Sequence, residues 1–339
     1  MTPLVSILLP TFDRPQFLEQ ALVSALNQTY PHIEIIICDN SQNDATEQVV
    51  NSYLTSPSGS KIRYVRNNTN IGPTANQQKC FRLAKGEYIN YLMDDDLFHP
   101  RKIELMLPYL MDNPKIGLVT SLKQLINHFG EPIRISNAPP FKLSTIKKPA
   151  MRGQTLIQSM LTDTKNYIGE PTTVLFRKAD LLEPFGTFGG KQAHNNVDVA
   201  SWIALLVKKD AVFLQEPLSS FRKHPTQLTN TLLSRMGCQC DWIDATLLAK
   251  KQQIFDDSST FVKIVNRLGK TVMDNFPKWN EATNSLYLDE LLERVRQLAV
   301  ASEKTKKLSS LAKDLKKLTL QLEKSKKTSI LISETCDAI

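Results

Sequence analysis

Short apolar runs separated by amphipathic segments dominate the first hundred residues of this chain. The runs cover Leu4–Leu9, Ile33–Cys38, Ile62–Val65 and Glu87–Met93. A nearly unbroken apolar run is typical of a strand that is buried on both faces, as in a parallel sheet. Between the runs, apolar residues recur at helical spacing, first as Phe17, Leu18, Ala21, Leu22, Ala25 and Leu26. The alternation predicts a doubly wound α/β fold with a mostly parallel central sheet.

Polar clusters follow these strands. They are Thr11–Arg14, Asp39–Ser41, Asn70–Gly72 and Asp94–Asp96. In such sheets ligands bind outside the carboxyl ends of the strands, so we expect the four clusters to line one crevice. No glycine-rich dinucleotide loop or Walker loop follows the first strand. Phosphate groups must therefore be held in another way.

Three adjacent carboxylates, Asp94, Asp95 and Asp96, follow the fourth strand. Like charges at the mouth of a buried strand repel one another unless a cation neutralises them. Carboxylate oxygens are ligands that Mg²⁺ and Mn²⁺ prefer, and these ions keep positions open for substrate phosphates. The triplet therefore predicts a divalent metal site, and the alternative is a solvated acidic loop.

The sequence beyond the triplet is less regular. Short apolar runs and turn residues between Gly117 and Pro149 predict strands and loops at the other edge of the sheet. A helix is predicted over Val197–Leu206, with Asp198 in its first turn, and a strand over Ala211–Leu214. An acidic residue in a first turn stabilises the helix dipole, so Asp198 is either a functional acid or a helix-capping one.

Helical spacing dominates after about residue 235, which predicts a domain at 1–234 and a helical region at 235–339. Leucines there alternate spacings of three and four, as in a coiled-coil seam, and they are Leu308, Leu311, Leu315, Leu318 and Leu322. Nine lysines accompany three acidic residues between positions 301 and 330. Three interpretations stay open for residues 288–328: packing on the same domain, formation of a homo-oligomer, or contact with an anionic membrane surface.

The composition narrows the class of protein. The chain has 339 residues, 41% of them hydrophobic, and no stretch approaches the roughly 20 apolar residues that cross a bilayer. The N-terminus lacks signal-peptide features, so we expect a cytoplasmic protein, with peripheral contact at the inner membrane face as the alternative. Five scattered cysteines indicate reduced thiols and no disulfide or zinc framework. The net charge of +8 belongs mostly to the C-terminal segment and does not indicate nucleic-acid binding.

Five segments carry a family likeness when they are taken in order, and they are Val5–Arg14, Ser24–Tyr30, Glu34–Ser41, Asn70–Gly72 and Ala84–Asp96. Together they resemble the family 2 glycosyltransferases, inverting enzymes with the GT-A fold, and the likeness covers about residues 3–230. It implies transfer of a hexosyl or N-acetylhexosaminyl group from a nucleotide-sugar donor to a hydroxyl acceptor in bacterial surface-glycan or polysaccharide synthesis. The acceptor would be a glycan, a lipid-linked intermediate or a protein side chain. The alternative from another class is a catalytically degenerate nucleotide-binding scaffold that acts through its C-terminal helices.

The resemblance implies a nucleotide site at the ends of the first two strands. Phe12 matches the aromatic residue that stacks on the base, with Pro10, Thr11 and Asp13 beside it. Asp39 matches the acid that hydrogen-bonds the base edge. A carboxylate accepts from the ring N–H of uracil and would repel a ring acceptor, so a UDP-sugar is favoured, with a dTDP-sugar next.

The same resemblance implies a metal-dependent diphosphate site with Mn²⁺ or Mg²⁺. Asp95 and Asp96 match metal ligands, Asp94 matches a residue near the ribose, and His224 matches a histidine that reaches the metal or diphosphate. Gln77 stands where relatives carry an arginine. Positive charge would then come from the metal or from one of three residues, Arg14, Lys191 or Arg222.

Asp198 matches the general base that removes the proton from the acceptor hydroxyl, a role that typically contributes ~10²–10⁴-fold to the rate. Trp202 follows one turn later, as in relatives, while Val197 stands where a glutamate is usual. Trp202 and Glu170 are expected on the acceptor side. The implied chemistry is a single in-line displacement at the anomeric carbon.

Overall fold

The structure is a computed structural model that describes residues 2–133, 150–225, 231–255, 258–280, 286–303 and 308–336. The predicted loops at 134–149 and the lysines at 304, 306 and 307 lie outside the described residues. The chain forms two compact units. Unit 1 comprises residues 1–156, 167–187 and 201–226, and unit 2 comprises residues 157–166, 188–200 and 227–339. The boundary between two domains at residue 234 stays a prediction.

The described residues contain eleven strands. In chain order, β1 to β11 are Val5–Thr11, Ile33–Asp39, Ile62–Arg66, Tyr88–Tyr91, Leu97–Phe98, Ile116–Ile126, Ala150–Met151, Leu175–Arg177, Thr187–Phe188, Lys191–Gln192 and Asp210–Arg222.

Ten α-helices accompany the strands in the same described part of the chain. In chain order, α1 to α10 are Pro15–Leu26, Ala45–Leu54, Pro73–Leu83, Lys102–Asp112, Gly153–Asp163, Val197–Leu206, Leu232–Lys251, Ser258–Asn280, Leu286–Glu303 and Ser309–Cys336. None of these helices, over its described residues, is long and apolar enough to pass through a membrane.

Unit 1 is built on a mixed nine-stranded sheet with the order β3-β2-β1-β4-β8-β6-β11-β5, and β7 also pairs with β11. The strands β1 to β4 are parallel, and so are β6 and β11. The antiparallel strand β8 joins these two parallel groups. The predicted α/β fold with a mostly parallel sheet is therefore confirmed. The edge position predicted for the segment after Gly117 is wrong for β6, because the longer β11 covers its outer side.

Burial explains why the first strands were recognisable from their sequence. Every residue of β1 is buried, and β2 is buried at all positions except Glu34. Helices α1 and α4 contribute Leu18, Leu22 and Ile103 to the same apolar core. Because both faces of these strands are covered, their sequences are nearly continuous apolar runs.

Unit 2 contains the C-terminal helices, and α10 contacts α8 and α9. The leucine stripe is covered within the chain, since Leu308, Leu311, Leu315 and Leu318 are each at most 8% exposed. The side chain of Leu322 lies outside the described part. These leucines thus pack on their own chain, as the first of the three interpretations expects, and oligomer or membrane contact through residues 288–328 stays a prediction.

Candidate active site

The carboxyl ends of β1, β2 and β4 come together in unit 1. Thr11 at the end of β1 pairs in register with Asp39 at the end of β2. The Thr11 hydroxyl also donates to Asp94 Oδ2 at 2.9 Å, just beyond β4. Asn40 Nδ2 donates to Gly72 O at 3.2 Å, which brings in the cluster that follows β3. The four polar clusters therefore meet at one edge of the sheet, as predicted.

Asp39 is fully buried, and its two oxygens have different partners. Oδ1 accepts from the backbone N–H of Ser41 at 2.7 Å, and Oδ2 accepts from the Tyr64 hydroxyl at 2.8 Å. Burial and this hydrogen bond raise the pKa of Tyr64, so its hydroxyl stays protonated. Each carboxylate oxygen has a further lone pair, so Asp39 can still accept from a ligand. The sequence did not single out Tyr64, because a tyrosine in a strand looks like an ordinary core residue.

Phe12 and Asp13 form the exposed rim of this edge. Phe12 is 44% exposed, whereas Pro10 and Thr11 are buried. Asp13 has a φ of 50°, a left-handed conformation that a residue other than glycine keeps only when its surroundings hold it. Its backbone N–H donates to Ser41 Oγ at 2.8 Å. The turn thus presents an aromatic ring to solvent beside the buried Asp39.

The three aspartates of the triplet differ in exposure. Asp94 and Asp96 are 5% and 1% exposed, while the Asp95 side chain is 17% exposed. Asp96 accepts from the Thr172 hydroxyl at 2.6 Å and from the backbone N–H of Arg222 at 3.1 Å. Burial, and then the charge of Asp95, raise the pKa of Asp94 to about 7 and that of Asp96 well above its usual range. The triplet is therefore one accessible carboxylate between two buried ones.

Two basic side chains meet at Asp95 Oδ2. His224 Nε2 lies 3.0 Å from this oxygen and Arg14 Nη1 lies 3.1 Å from it. Arg14 Nη1 also lies 3.3 Å from Asp94 Oδ1. The His224 side chain is 1% exposed and packs on the ring of Phe17. Arg14 thus neutralises part of the charge on the triplet, and His224 is held at Asp95, the most accessible of the three aspartates.

Asp95 Oδ2 and His224 Nε2 are close enough together to contact one divalent ion. Two ligands on adjacent octahedral positions, each about 2.1 Å from the ion, lie about 3.0 Å apart. The Oδ2 and Nε2 atoms are 3.0 Å apart. Among the described residues no cluster of three or more His, Cys, Asp or Glu side chains could hold an ion. An ion at this point would take two protein ligands and leave its other positions to water and phosphate oxygens.

The other two basic residues expected near a diphosphate, Arg222 and Lys191, also have protein partners. Arg222 is fully buried, and its guanidinium donates to Asp95 O at 2.7 Å and to Gln20 Oε1 at 2.8 Å. Lys191 Nζ pairs with Asp244 Oδ1 at 2.6 Å within unit 2. Both cations already have protein partners, and their role near a diphosphate stays a prediction.

Three side-chain oxygens of unit 1, Gln77 Oε1, Asn90 Oδ1 and Glu170 Oε2, are buried and have no hydrogen-bond partner within the described residues. The other oxygen of Glu170 pairs with Lys123. Trp202 is fully buried, and its Nε1 donates to Gly169 O at 2.9 Å. Trp202 therefore braces the residue before Glu170 and does not itself present a surface to an acceptor.

Asp198 lies in the first turn of α6 and belongs to unit 2. The other predicted catalytic, nucleotide, metal and acceptor residues belong to unit 1. The Asp198 carboxylate is half-buried and held by two donors. Oδ2 accepts from Asn166 Nδ2 at 2.8 Å, and Oδ1 accepts from the backbone N–H of Val199 at 2.8 Å. Asn166 could not be linked to Asp198 from the sequence, because it lies 32 residues earlier.

Residues 6–181 match the sequence profile of glycosyl transferase family 2. An uncharacterized glycosyltransferase of Rickettsia typhi is 30% identical over 238 residues, which are 69% of this chain and 69% of the relative. The Escherichia coli glycosyl transferase WcaA, named for colanic acid biosynthesis, is 36% identical over 107 residues, 32% of this chain and 38% of its own length. The similarity therefore spans the part of the chain that carries the sheet edge.

Solved structures resemble the whole fold. Staphylococcus aureus TarS in complex with UDP-GlcNAc matches with a TM-score of 0.62 and 14% identity, over 96% of this chain and 92% of that chain. The mannosyltransferase PcManGT of Pyrobaculum calidifontis, in complex with GDP-Man and Mn²⁺, matches with a TM-score of 0.53 and 15% identity, over 96% and 87%. At these identities the likeness establishes the fold alone.

Proposed function

Because this chain belongs to glycosyl transferase family 2, we propose that it moves a sugar from a UDP-sugar to a hydroxyl acceptor with inversion at the anomeric carbon. One observation carries the proposal. The exposed Phe12 ring, the buried Asp39 and the triplet that contains Asp95 meet at the carboxyl edge of one sheet. A nucleotide sugar needs a stacking ring, a base-edge acceptor and a diphosphate site in that arrangement, and parallel sheets bind ligands at this edge.

The nucleotide end of the proposed site favours uracil. The ring N–H of uracil would donate to Asp39, which keeps acceptor capacity beside the Tyr64 hydroxyl. Phe12 would stack on the base, with Pro10, Thr11 and Asp13 forming the turn that presents it. Complexes of structural neighbours support both UDP and GDP donors in this fold, so the base remains the part to be tested first.

The diphosphate would lie at the triplet. Asp95 and His224 are the residues that would hold Mn²⁺ or Mg²⁺, and such an ion would offset the charge that grows on the departing diphosphate. Asp94 and Asp96 would act mainly by fixing the loop, because both are buried and hydrogen-bonded. Arg14 would add a second positive charge beside the same carboxylates.

Asp198 is the proposed general base. It would accept the proton of the acceptor hydroxyl as that oxygen attacks the anomeric carbon, and Asn166 would hold its carboxylate in one orientation. Glu170 is assigned to the acceptor side, where its buried Oε2 has capacity for a hydroxyl donor, and Trp202 supports it through Gly169.

The transferred group in this proposal is a hexosyl or N-acetylhexosaminyl residue. The acceptor is a glycan, a lipid-linked intermediate or a protein side chain. The likeness to WcaA supports polysaccharide synthesis as the setting. A cytoplasmic location, with peripheral contact at the inner membrane face, belongs to the same proposal.

Thermal unfolding with a panel of nucleotide sugars, with and without Mn²⁺, tests the donor claim. A ligand that binds only the folded state raises its stability in proportion to affinity. UDP-sugars should raise the melting temperature more than GDP-, CMP- and ADP-sugars, and Mn²⁺ should enlarge the shift. Asp95→Ala should lose the Mn²⁺-dependent part, whereas the exposed control Asp112→Asn should keep it.

Turnover of the preferred donor tests the base. Asp198→Asn should slow glycosyl transfer ~10²–10⁴-fold while the donor-induced thermal shift is retained. The exposed control Asp314→Asn in unit 2 should transfer at the native rate. Full transfer by Asp198→Asn would contradict the base assignment. Donor binding without turnover by the native chain, with a broad panel of acceptors, would favour the degenerate scaffold.

A further inference from the structure

We propose that Asp241, on α7, is a positioning residue for catalysis because it fixes the backbone from which the helix of Asp198 begins. This inference rests on the proposed function, in which Asp198 is the general base. It gives α7 a task in the reaction through the position of the base, in addition to the acceptor role that the sequence allows for the C-terminal helices.

The contact between Asp241 and the segment before α6 is unusually complete. Asp241 is 6% exposed, and its carboxylate accepts three consecutive backbone N–H groups. Oδ1 accepts from His194 at 2.9 Å, and Oδ2 accepts from Asn195 and Asn196, each at 2.8 Å. Three successive amides held by one carboxylate fix the direction of the chain at that point.

The last of these amides belongs to Asn196, the residue directly before α6, and the other two precede it. The carbonyl of Asn196 accepts from the backbone N–H of Ala200 at 2.9 Å, so the helical hydrogen bonding begins at Asn196. Amides at a helix N-terminus have no partner within the helix and need an acceptor from elsewhere. Asp241 supplies that acceptor from a different helix, together with a negative charge that the helix dipole favours.

Side chains of the same segment are bound to the same face of α7. Asn195 Nδ2 donates to Ser234 Oγ at 2.8 Å, and Asn196 Nδ2 donates to Cys238 O at 3.1 Å. Ser234, Cys238 and Asp241 are four and three positions apart, so they share one face of the helix. Residues 194–196 are therefore held to α7 through both backbone and side chains.

Asp198 follows this anchored segment by two residues, and its carboxylate keeps its own contact with Asn166 at 2.8 Å. If Asp241 no longer held the amides, the first turn of α6 could shift and carry the base with it. A misplacement of about 1 Å in a reacting group can cost about 10²-fold in rate. Removal of the Asp241 carboxylate should therefore slow chemistry more than it weakens donor binding.

Asp244, one turn further along α7, offers a matched control. It is 8% exposed, and it is ion-paired with Lys191 at 2.6 Å and with Arg294 at 2.9 Å. Within the described residues, the oxygens of Asp244 thus meet side chains alone, whereas those of Asp241 meet the backbone before α6 in addition to the His194 ring. Loss of a buried carboxylate destabilises unit 2 in either variant, but only the Asp241 change releases residues 194–196.

The test compares Asp241→Asn, Asp241→Glu and Asp244→Asn in the full chain. We expect Asp241→Asn to lower kcat about 10²-fold with the donor KM within about twofold of native, as a displaced base predicts. We expect Asp241→Glu, which keeps the carboxylate, to recover part of that loss. Asp244→Asn should keep kcat within about threefold even where its melting temperature falls as far as that of Asp241→Asn.

Hydrogen exchange gives a readout that does not depend on activity. Amides of residues 194–198 should exchange at least tenfold faster in Asp241→Asn than in Asp244→Asn. Equal exchange in the two variants, or equal losses of kcat, would overturn the proposal. Native turnover in Asp198→Asn would contradict the proposed base instead, so the two failures are distinguishable.

Discussion

Replacing Tyr64 with phenylalanine removes one hydroxyl from beneath the proposed nucleotide site and leaves the ring in place. That hydroxyl is the donor to Asp39 Oδ2 at 2.8 Å, and Asp39 is fully buried. A hydrogen bond to a charged group contributes about 1.5–3 kcal/mol, and its loss leaves a buried oxygen short of a donor. No cavity forms, because the two rings have the same shape, so the expected loss of unfolding free energy stays in that range.

Unit 1 has about 200 residues, for which each kcal/mol changes the melting temperature by about 2–4 °C. Tyr64→Phe should therefore melt about 3–12 °C below the native chain, as followed by circular dichroism. Tyr53→Phe is the matched control, because Tyr53 also donates to a carboxylate, Glu19, but at the exposed surface. It should melt within about 2 °C of native, since exposed contacts contribute little.

The same pair of variants tests the link to nucleotide binding. We expect Tyr64→Phe to weaken UDP binding in isothermal titration, because Asp39 loses the contact that orients its carboxylate, and Tyr53→Phe to leave the affinity unchanged. If both variants melted at the native temperature, the buried hydrogen bond at Asp39 would not contribute the expected amount of about 1.5–3 kcal/mol.

Three further predictions follow from single contacts. Arg222→Met should lower the unfolding free energy by about 3–5 kcal/mol in urea titration, because removal of the buried guanidinium leaves several buried acceptors without donors. Gly153→Ala should cost about 1–3 kcal/mol in the same assay, since a Cβ there would lie 2.0 Å from Lys209 O. The hydrogen bond to Asp241 raises the pKa of His194 above its ordinary value of about 6.5. Protonated His194 therefore stabilises the fold fully below about pH 6.5, and this stabilisation is lost as the pH rises through the raised pKa. Between about pH 6 and pH 8, the native chain should lose more unfolding free energy than His194→Gln does, and equal slopes would contradict the assignment.

The sheet edge could be predicted because its signals are local. Apolar runs such as β1 and β2 are buried on both faces, and each is followed directly by the polar residues that the edge requires. The accessible position of Asp95 within the triplet was not readable from the sequence. It depends on Thr172 and Arg222, which cover Asp96 from distant parts of the chain.

Long-range partners account for most of what the sequence did not reveal. Asp241 reaches residues 194–196 from more than forty positions away, and nothing in its own helix indicates that use. The leucine seam, Leu308 to Leu322, shows what a local pattern can and cannot predict. Its spacing correctly predicts a covered apolar face, yet spacing alone cannot say whether the cover is the same chain or another one.

The late entry of β11 into the sheet has a consequence for biosynthesis. Ser219 and Ser220 pair with β5, Arg222 meets Asp96, and His224 meets Asp95, across separations of more than 120 residues. While a ribosome is still making the first two hundred residues, the acidic loop lacks these partners and its carboxylates lack their cover. Contacts so distant along the chain are slow to form. A nascent chain should thus complete the proposed diphosphate site around Asp95 as one of the last events of its maturation, after the parallel half of the sheet has already assembled.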